Sequence, residues 1–167
     1  KPITYTIEFN ANGGTGSMGD MTLVYDQTYS LTSNAFTRDG YRFIGWLGSD
    51  GKTYTDNQSV TNLTSTNNEI ITLTAQWAIN QYTITFDTTG GSTVEAITQD
   101  FATPVTAPVD PTREGYTFTG WDKQIPATMP AADVVISATW KLNEYVITYD
   151  FGDLGQNKTK AFHFESF

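Results

Sequence analysis

The sequence predicts a mainly β fold with little helix, and two observations lead to that prediction. Threonine is the most abundant residue, and along several segments it alternates with Tyr, Ile, Phe or Val. Such β-branched and aromatic side chains fit the pleated, half-buried surface of a sheet. Apolar residues at helical spacing never continue for more than a turn or two, and residues 130–133 are where one short turn could start.

The chain repeats its own pattern. Three blocks recur in the same order: residues 5–14 and 82–91 (YTIEFNANGG, YTITFDTTGG), 38–46 and 113–121 (RDGYRFIGW, REGYTFTGW), and 73–77 and 136–140 (LTAQW, ISATW). The copies differ in length mainly between their two tryptophans, where loops absorb insertions. A third copy begins at Tyr145 and then loses the pattern. We therefore expect a first module over 1–79, a second over 80–142, and the start of an incomplete or divergent third over 143–167.

The blocks predict individual strands and turns. Alternation places the apolar residues of the first block on one face of a strand, and the same holds for the matching block of each later copy. These residues are Tyr5, Ile7 and Phe9, then Tyr82, Ile84 and Phe86, then Tyr145, Ile147 and Tyr149. In the closing strand Leu73, Ala75 and Trp77 share a face. The paired glycines that follow the first block supply the positive φ values that a tight turn needs.

Strict alternation in the middle block places Tyr41 and Phe43 on the face of Gly45, with Trp46 pointing the other way. A glycine within a strand lets another backbone or ring approach closely. The connectors 78–81 and 141–144 are four residues long and contain neither Gly nor Ser. Flexible linkers are longer and richer in both, so these connectors predict a short, ordered junction.

Composition excludes several classes of function. The net charge is −9, with 18 acidic against 9 basic residues, which disfavours binding to nucleic acid or to an anionic membrane surface. No apolar run approaches the ~20 residues of a membrane span, so we expect no membrane insertion. The absence of cysteine removes disulfides, zinc–thiolate sites and a cysteine nucleophile. Because the chain opens at Lys1 without an initiator Met or signal peptide, we interpret it as a piece of a longer protein.

The candidate catalytic and metal residues have simpler structural interpretations. His163 is the single histidine and lies in an alternating segment, so it is expected on a strand surface. Asp87 and Asp150 occupy the position that Asn10 holds in the first copy, which favours capping of a turn over a glycosidase carboxylate pair. Residues 48–56 contain oxygen ligands and glycine but lack the spaced acids of a calcium loop, and an ordinary hairpin is expected. We predict no catalytic residue, no metal site and no cofactor.

The aromatic residues allow one hypothesis for a ligand-binding site. Trp46, Trp121, Tyr41 and Tyr116 could form a sugar-stacking platform, although their matching positions in both copies favour a core role. Tyr54, in the insertion of the first copy, is a better ligand candidate but is isolated. The ligand-binding residues therefore stay unknown at this point.

The complete pattern resembles the Listeria–Bacteroides repeat, a family that includes the B-repeats of internalin-type surface proteins. The resemblance covers residues 3–79 and 81–141, and more weakly 143–151, and its most specific part is Gly-Tyr-x-Phe-x-Gly-Trp at 40–46 and 115–121. The first copy departs from it, with Phe36 in place of proline and a polar insertion over 48–68. The resemblance implies tandem α+β modules of a small β-grasp-like, ubiquitin-like kind, without enzymatic activity.

The function that this resemblance implies is that of a stalk, spacer or adhesion module in a secreted or cell-surface bacterial protein. We expect a monomer whose possible partners are host or matrix proteins or glycans, bound weakly and multivalently. The alternative is a carbohydrate-binding module attached to a secreted enzyme. An enzyme in its own right is the remaining hypothesis, and it would require a cleft with perturbed carboxylates.

Overall fold

The computed structural model describes residues 1–149 and 158–163, and these residues form thirteen β-strands and no helix. The mainly β prediction is therefore confirmed. Residues 131 and 132 form a bend, so the short helical turn considered at 130–133 is absent. The described residues hold no helix of the length and hydropathy that crossing a membrane would require. Spatial contacts divide the chain into two units, and the boundary falls between Gln81 and Tyr82.

The first unit contains seven strands, and five of them form one sheet. The strands of the unit are β1 (Thr4–Asn10), β2 (Met21–Val24), β3 (Thr28–Ser30), β4 (Tyr41–Gly48), β5 (Thr53–Tyr54), β6 (Ser59–Thr61) and β7 (Ile70–Ile79). The sheet order is β2-β1-β7-β4-β5, while β3 and β6 form a separate pair. Strands β1 and β7, the first and last of the unit, are parallel neighbours, and the other pairings are antiparallel.

The core of the first unit forms on the face that alternation predicted. Tyr5 and Ile7 on β1 are buried with Leu73 and Ala75 on β7, and Phe9 and Trp77 pack against them. Residues from the loops and from the insertion complete the cluster, namely Leu31, Phe36, Tyr54 and Val60. The polar insertion thus forms the hairpin strand β5 and contributes two buried side chains, Tyr54 and Val60, to the core.

Residues 81–142, the second repeat, show this topology with fewer strands. This repeat contains β8 (Gln81–Asp87), β9 (Ile97–Asp100), β10 (Tyr116–Trp121) and β11 (Val134–Leu142) in the order β10-β11-β8-β9. Read from the other edge, this is the order of β2, β1, β7 and β4, again with a parallel central pair, β8 and β11. Its described residues contain no counterpart of β5. Ile84, Phe86, Met129 and Ile136 form the buried core.

A β-bulge in the middle strand of each copy overturns one prediction. The register between β4 and β7 shifts between Phe43 and Gly45, and between β10 and β11 it shifts between Phe118 and Gly120. The extra residue reverses the alternation, so Trp46 lies on the same face as Phe43, with ring centroids 4.8 Å apart. Trp46 is fully buried, and the prediction that it points away from Phe43 was wrong.

The third copy begins with a strand, as predicted, and the side chains of that strand are exposed. Strand β12 (Glu144–Tyr149) pairs antiparallel with β13 (Lys158–His163). Tyr145, Ile147 and Tyr149, which alternation places on one face of this strand, are each about half exposed. Asp150 lies outside the described residues.

Candidate functional site: the clamped turn of each repeat

The turn after the first strand of each repeat is closed by its own side chains. The Asn12 amide donates to Asn10 Oδ1 at 2.8 Å, and the Thr89 amide donates to Asp87 Oδ1 at 2.9 Å. The first glycine of each pair has a positive φ, 81° at Gly13 and 90° at Gly90. The predicted turn-capping role of Asn10 and Asp87 is confirmed. Both side chains are exposed and engaged with their own backbone.

The second glycine of each pair lets a tryptophan pack onto the turn. A Cβ built on Gly14 would lie 2.8 Å from Trp77 Cζ2, and one on Gly91 would lie 2.5 Å from Trp140 Cζ2. Such distances are shorter than real carbon contacts, so a side chain at either position would displace the indole ring. Trp77 and Trp140 therefore lie flush against the turn of their own repeat.

The same indoles hold the turn by hydrogen bonds. Trp77 Nε1 donates to the Ala11 carbonyl at 3.0 Å, and Trp140 Nε1 donates to the Thr88 carbonyl at 3.0 Å. A third bond runs from the turn to the last strand, from Asn12 Nδ2 to the Ala75 carbonyl in the first repeat. These contacts tie the end of the first strand to the last strand of the same unit.

An arginine covers the other side of each turn. The Arg38 guanidinium lies 4.1 Å from the centroid of the Tyr41 ring and donates to the Asn12 carbonyl at 3.4 Å. In the second repeat Arg113 lies 3.9 Å from the centroid of the Tyr116 ring and donates to the Thr89 carbonyl at 3.0 Å. Stacking of a cation on a ring face favours this arrangement in both copies. We call the turn with its arginine, tyrosine and tryptophan the clamped turn.

The four aromatic residues considered for a sugar platform all contact side chains of their own repeat. A guanidinium lies over the rings of Tyr41 and Tyr116. Trp46 is fully buried among Phe9, Phe36 and Phe43, and Trp121 packs against Phe86 and Phe118. Trp46 Nε1 has no hydrogen-bond partner among the described residues, although solvent does not reach it. The core role predicted for Trp46 is confirmed.

Residues 48–56 form the hairpin between β4 and β5 and enclose one carboxylate. Asp50 accepts hydrogen bonds from the Lys52 amide at 3.0 Å and from the Tyr54 hydroxyl at 2.5 Å. Burial alone would raise the pKa of Asp50, but these bonds and the Lys52 charge together lower it below its ordinary value. Burial, and then the bond to Asp50, raise the pKa of the Tyr54 hydroxyl. Tyr54, the isolated ligand candidate, is a buried side chain of this hairpin.

The remaining candidates contribute no site geometry. Residue 163 is the last residue of β13, and the side chain of His163 lies outside the described part of the structure. Within residues 1–149 and 158–163, no group of three or more His, Cys, Asp or Glu side chains could hold a metal ion.

A sequence profile of the Listeria-Bacteroides repeat domain matches residues 5–76 and 82–138. The chain belongs to the Listeria-Bacteroides repeat family. The resemblance seen in the sequence is confirmed, and both matched segments lie within the two units that carry clamped turns.

Several longer proteins are similar to this pair of repeats. Internalin H of Listeria monocytogenes serovar 1/2a is 34% identical over 164 residues, which cover 86% of this chain and 27% of that protein. A "Putative membrane protein" of Evansella cellulosilytica is 30% identical, covering 87% of this chain and 22% of that protein. A "Putative Gly-rich membrane protein" of the same organism is 26% identical, with 87% and 18% covered. The chain thus spans less than a third of each relative.

Sequence reasoning missed the role of Arg38 and Arg113 and the indole hydrogen bonds. A signal was present, because both arginines stand three residues before a repeated tyrosine. Their function in the repeat depends on contacts to a turn more than twenty residues away in sequence, which a local pattern does not report.

Proposed function

We propose that these repeats form a non-catalytic extracellular spacer in a bacterial surface protein. The clamped turn carries this proposal. The side chains that the two copies share at this turn bond to and stack on groups of their own repeat. Repeated side chains that stabilise their own module are typical of a spacer.

The connectors support the same proposal. The Asn80 amide donates to the Gly40 carbonyl at 2.9 Å, and the Asn143 amide donates to the Gly115 carbonyl at 2.9 Å. Each connector is therefore hydrogen-bonded to the repeat before it. In the second connector the Thr117 hydroxyl also donates to Asn143 Oδ1 at 2.6 Å. A flexible linker coils and shortens its end-to-end distance, whereas an ordered connector keeps that distance fixed. A fixed distance is useful in a spacer.

The relatives support a location at the cell surface. One is an internalin, and two have names that place them at a membrane. The net charge of −9 favours solubility and opposes adsorption to anionic surfaces. We propose a monomeric, extracellular segment of a larger protein.

A replacement experiment separates a spacer from an adhesion module. In the parent protein, displayed on cells, the two repeats would be replaced by two repeats of another family member with different exposed residues. A spacer retains function after replacement and loses it progressively as repeats are deleted. Loss of binding after replacement at constant length would show that this surface itself adheres to a partner.

The carbohydrate-binding alternative has its own test. Titration of the chain with cell-wall and host glycans would be followed by tryptophan fluorescence. The spacer proposal predicts no saturable change, because the indoles contact their own repeats. Saturable quenching that is lost in a variant of an exposed aromatic, such as Tyr145→Ala, would favour the alternative.

A further inference from the structure

The first and last strands of each repeat are parallel neighbours in the centre of the sheet. In the first repeat, Thr6 to Asn10 pair with Ile70 to Thr74. In the second repeat, residues 84–87 pair with residues 134–137 in the same parallel sense. The two chain ends of a repeat are thus connected through this single central ladder as well as through the covalent chain.

This pairing determines how tension along the chain acts on the ladder. In a parallel pair, the start of the first strand and the end of the last strand lie at opposite ends of the sheet. Strand β7 continues from Ile70 to Ile79, a run of roughly 30 Å at the usual rise per residue. Pulling the chain ends apart therefore slides β1 along β7, and the ladder hydrogen bonds are loaded together rather than one after another.

Apolar packing shields the ladder. Ile7 and Leu73 contribute fully buried side chains from the two strands, and in the second repeat Ile84 and Ile136 do the same. Water reaches such bonds poorly, so a broken bond is not readily replaced by one to solvent. The shielding raises the barrier to sliding beyond what the backbone bonds provide alone.

The clamped turn lengthens the same interface beyond the strand. In the first repeat, Asn12 Nδ2 bonds to the Ala75 carbonyl and Trp77 Nε1 bonds to the Ala11 carbonyl. In the second repeat, Thr89 Oγ1 bonds to the Ala138 carbonyl at 3.0 Å, with Trp140 Nε1 in the equivalent role. Asn12 and Thr89 differ in chemistry but cross the same gap between turn and last strand.

We infer that each repeat is a force-bearing element that resists tension along the chain by shear of its central parallel strands, reinforced by the clamped turn. The inference deepens the proposed spacer function and rests on it for its biological meaning. A surface spacer under flow or cell movement carries tension, and resistance to forced unfolding depends on the unfolding rate in the direction of the force.

Single-molecule force spectroscopy on the full chain tests this inference by changing only the direction of pulling. The chain contains no cysteine, so introduced cysteines define the attachment points. Anchors at K1C and Q81C load β1 against β7 in shear. Anchors at K1C and Q27C instead load the β1–β2 hairpin, whose open end is the pair Thr4 and Val24. All three anchor positions are exposed.

We expect the shear direction to require a several-fold higher force than the hairpin direction, although denaturant melts of the two double variants agree. Equal forces in the two directions would overturn the inference and leave the spacer proposal untouched, since a spacer need not bear load.

The contribution of the clamped turn is tested by Trp77→Phe and Trp140→Phe in the full chain, pulled from its two ends. Each variant keeps the aromatic contact to Phe43 or Phe118 but removes the indole donor. We expect each to lower the unfolding force of its own repeat only, with the other repeat as internal control. The events are assigned by length, because the first repeat releases more chain. Unchanged forces in both variants would exclude the turn from the force-bearing interface.

Discussion

Trp77 Nε1 donates a 3.0 Å hydrogen bond to the carbonyl of Ala11, 66 residues earlier in the chain. Trp140 and Thr88 stand in the same relationship in the second repeat. Each bond joins the last strand of a repeat to the turn that follows its first strand. The repeated tryptophan therefore has two functions, since its ring packs against Phe43 or Phe118 and its N–H closes the turn.

The first prediction is that removal of this N–H destabilises each repeat. Trp77→Phe should lower the free energy of unfolding of its repeat by about 1 kcal/mol, the usual net value of one such bond. Trp140→Phe should cost at least as much, because Trp140 Nε1 also donates to Thr89 Oγ1 at 2.8 Å. Denaturant unfolding of each variant measures the loss. A loss of stability in only one of the two repeats would show that the matching indole bonds contribute different free energies to folding.

The bulge glycines provide a matched pair for a second prediction. Gly45 has a φ of 136° and Gly120 a φ of 127°, so alanine at either position is strained by about 1–3 kcal/mol. A Cβ on Gly45 would also lie 2.8 Å from the Tyr54 carbonyl oxygen, whereas a Cβ on Gly120 would have no neighbour within 4 Å. We therefore expect Gly45→Ala to cost more than Gly120→Ala in equilibrium melts. Equal costs would mean that β5 moves away from the new Cβ without any loss of stability.

The third prediction concerns the pH dependence of the first repeat. Because folding lowers the pKa of Asp50, its carboxylate stabilises the fold above its unfolded pKa. That stabilisation is lost as the pH falls through the lower, folded pKa. Asp50→Asn should therefore be less stable than the parent chain at neutral pH, and the difference should shrink in acid.

Thermal melts across the acid range test this dependence, with Tyr54→Phe as a companion variant that removes the main side-chain donor to Asp50. We expect Tyr54→Phe also to weaken the acid dependence. A difference between Asp50→Asn and the parent that stays constant with pH would show that the Asp50 charge does not stabilise the hairpin.

The fourth prediction ranks a partly buried aromatic residue, Phe118, against a turn residue in the second repeat. Phe118 packs edge-on against Trp121 and Trp140, with ring centroids 5.3 Å and 5.4 Å apart. Because Phe118 is only partly buried, Phe118→Ala should cost less than the roughly 3–5 kcal/mol of a fully buried aromatic, but still more than a turn bond. Asp87→Ala removes one exposed turn bond and should cost about 1 kcal/mol, by analogy with helix caps. Chemical denaturation of both variants would show the reverse order if the inward face were misassigned.

Sequence alternation predicted the inward faces of β1, β7 and β8 because nothing interrupts their period of two. Alternation was wrong at Trp46, because the bulge before it adds one residue to β4. Each later side chain of that strand therefore lies on the opposite face from the one that alternation predicts. A glycine in a strand can indicate a bulge or a close approach, and at Gly45 it indicates both. Alternation by itself does not separate these possibilities.

The clamped turn was beyond local reasoning for a different physical reason. The turn, Arg38 and Trp77 come from three separate blocks, which meet only when β1, β4 and β7 are neighbours in the sheet. In the third copy, the pattern at Tyr145 predicted a strand but not its burial, because burial depends on a second layer that a strand pattern does not contain.

We propose that the tryptophans shared by the repeats stabilise the fold and do not bind a ligand. NMR of the indole N–H groups of Trp77 and Trp140 tests this proposal, by hydrogen exchange and by titration with cell-wall and host glycans. We expect slow exchange for both N–H groups, because each donates to a backbone carbonyl, and no saturable shift with any glycan. Rapid exchange of these N–H groups, or a saturable shift with a defined sugar, would contradict the proposal.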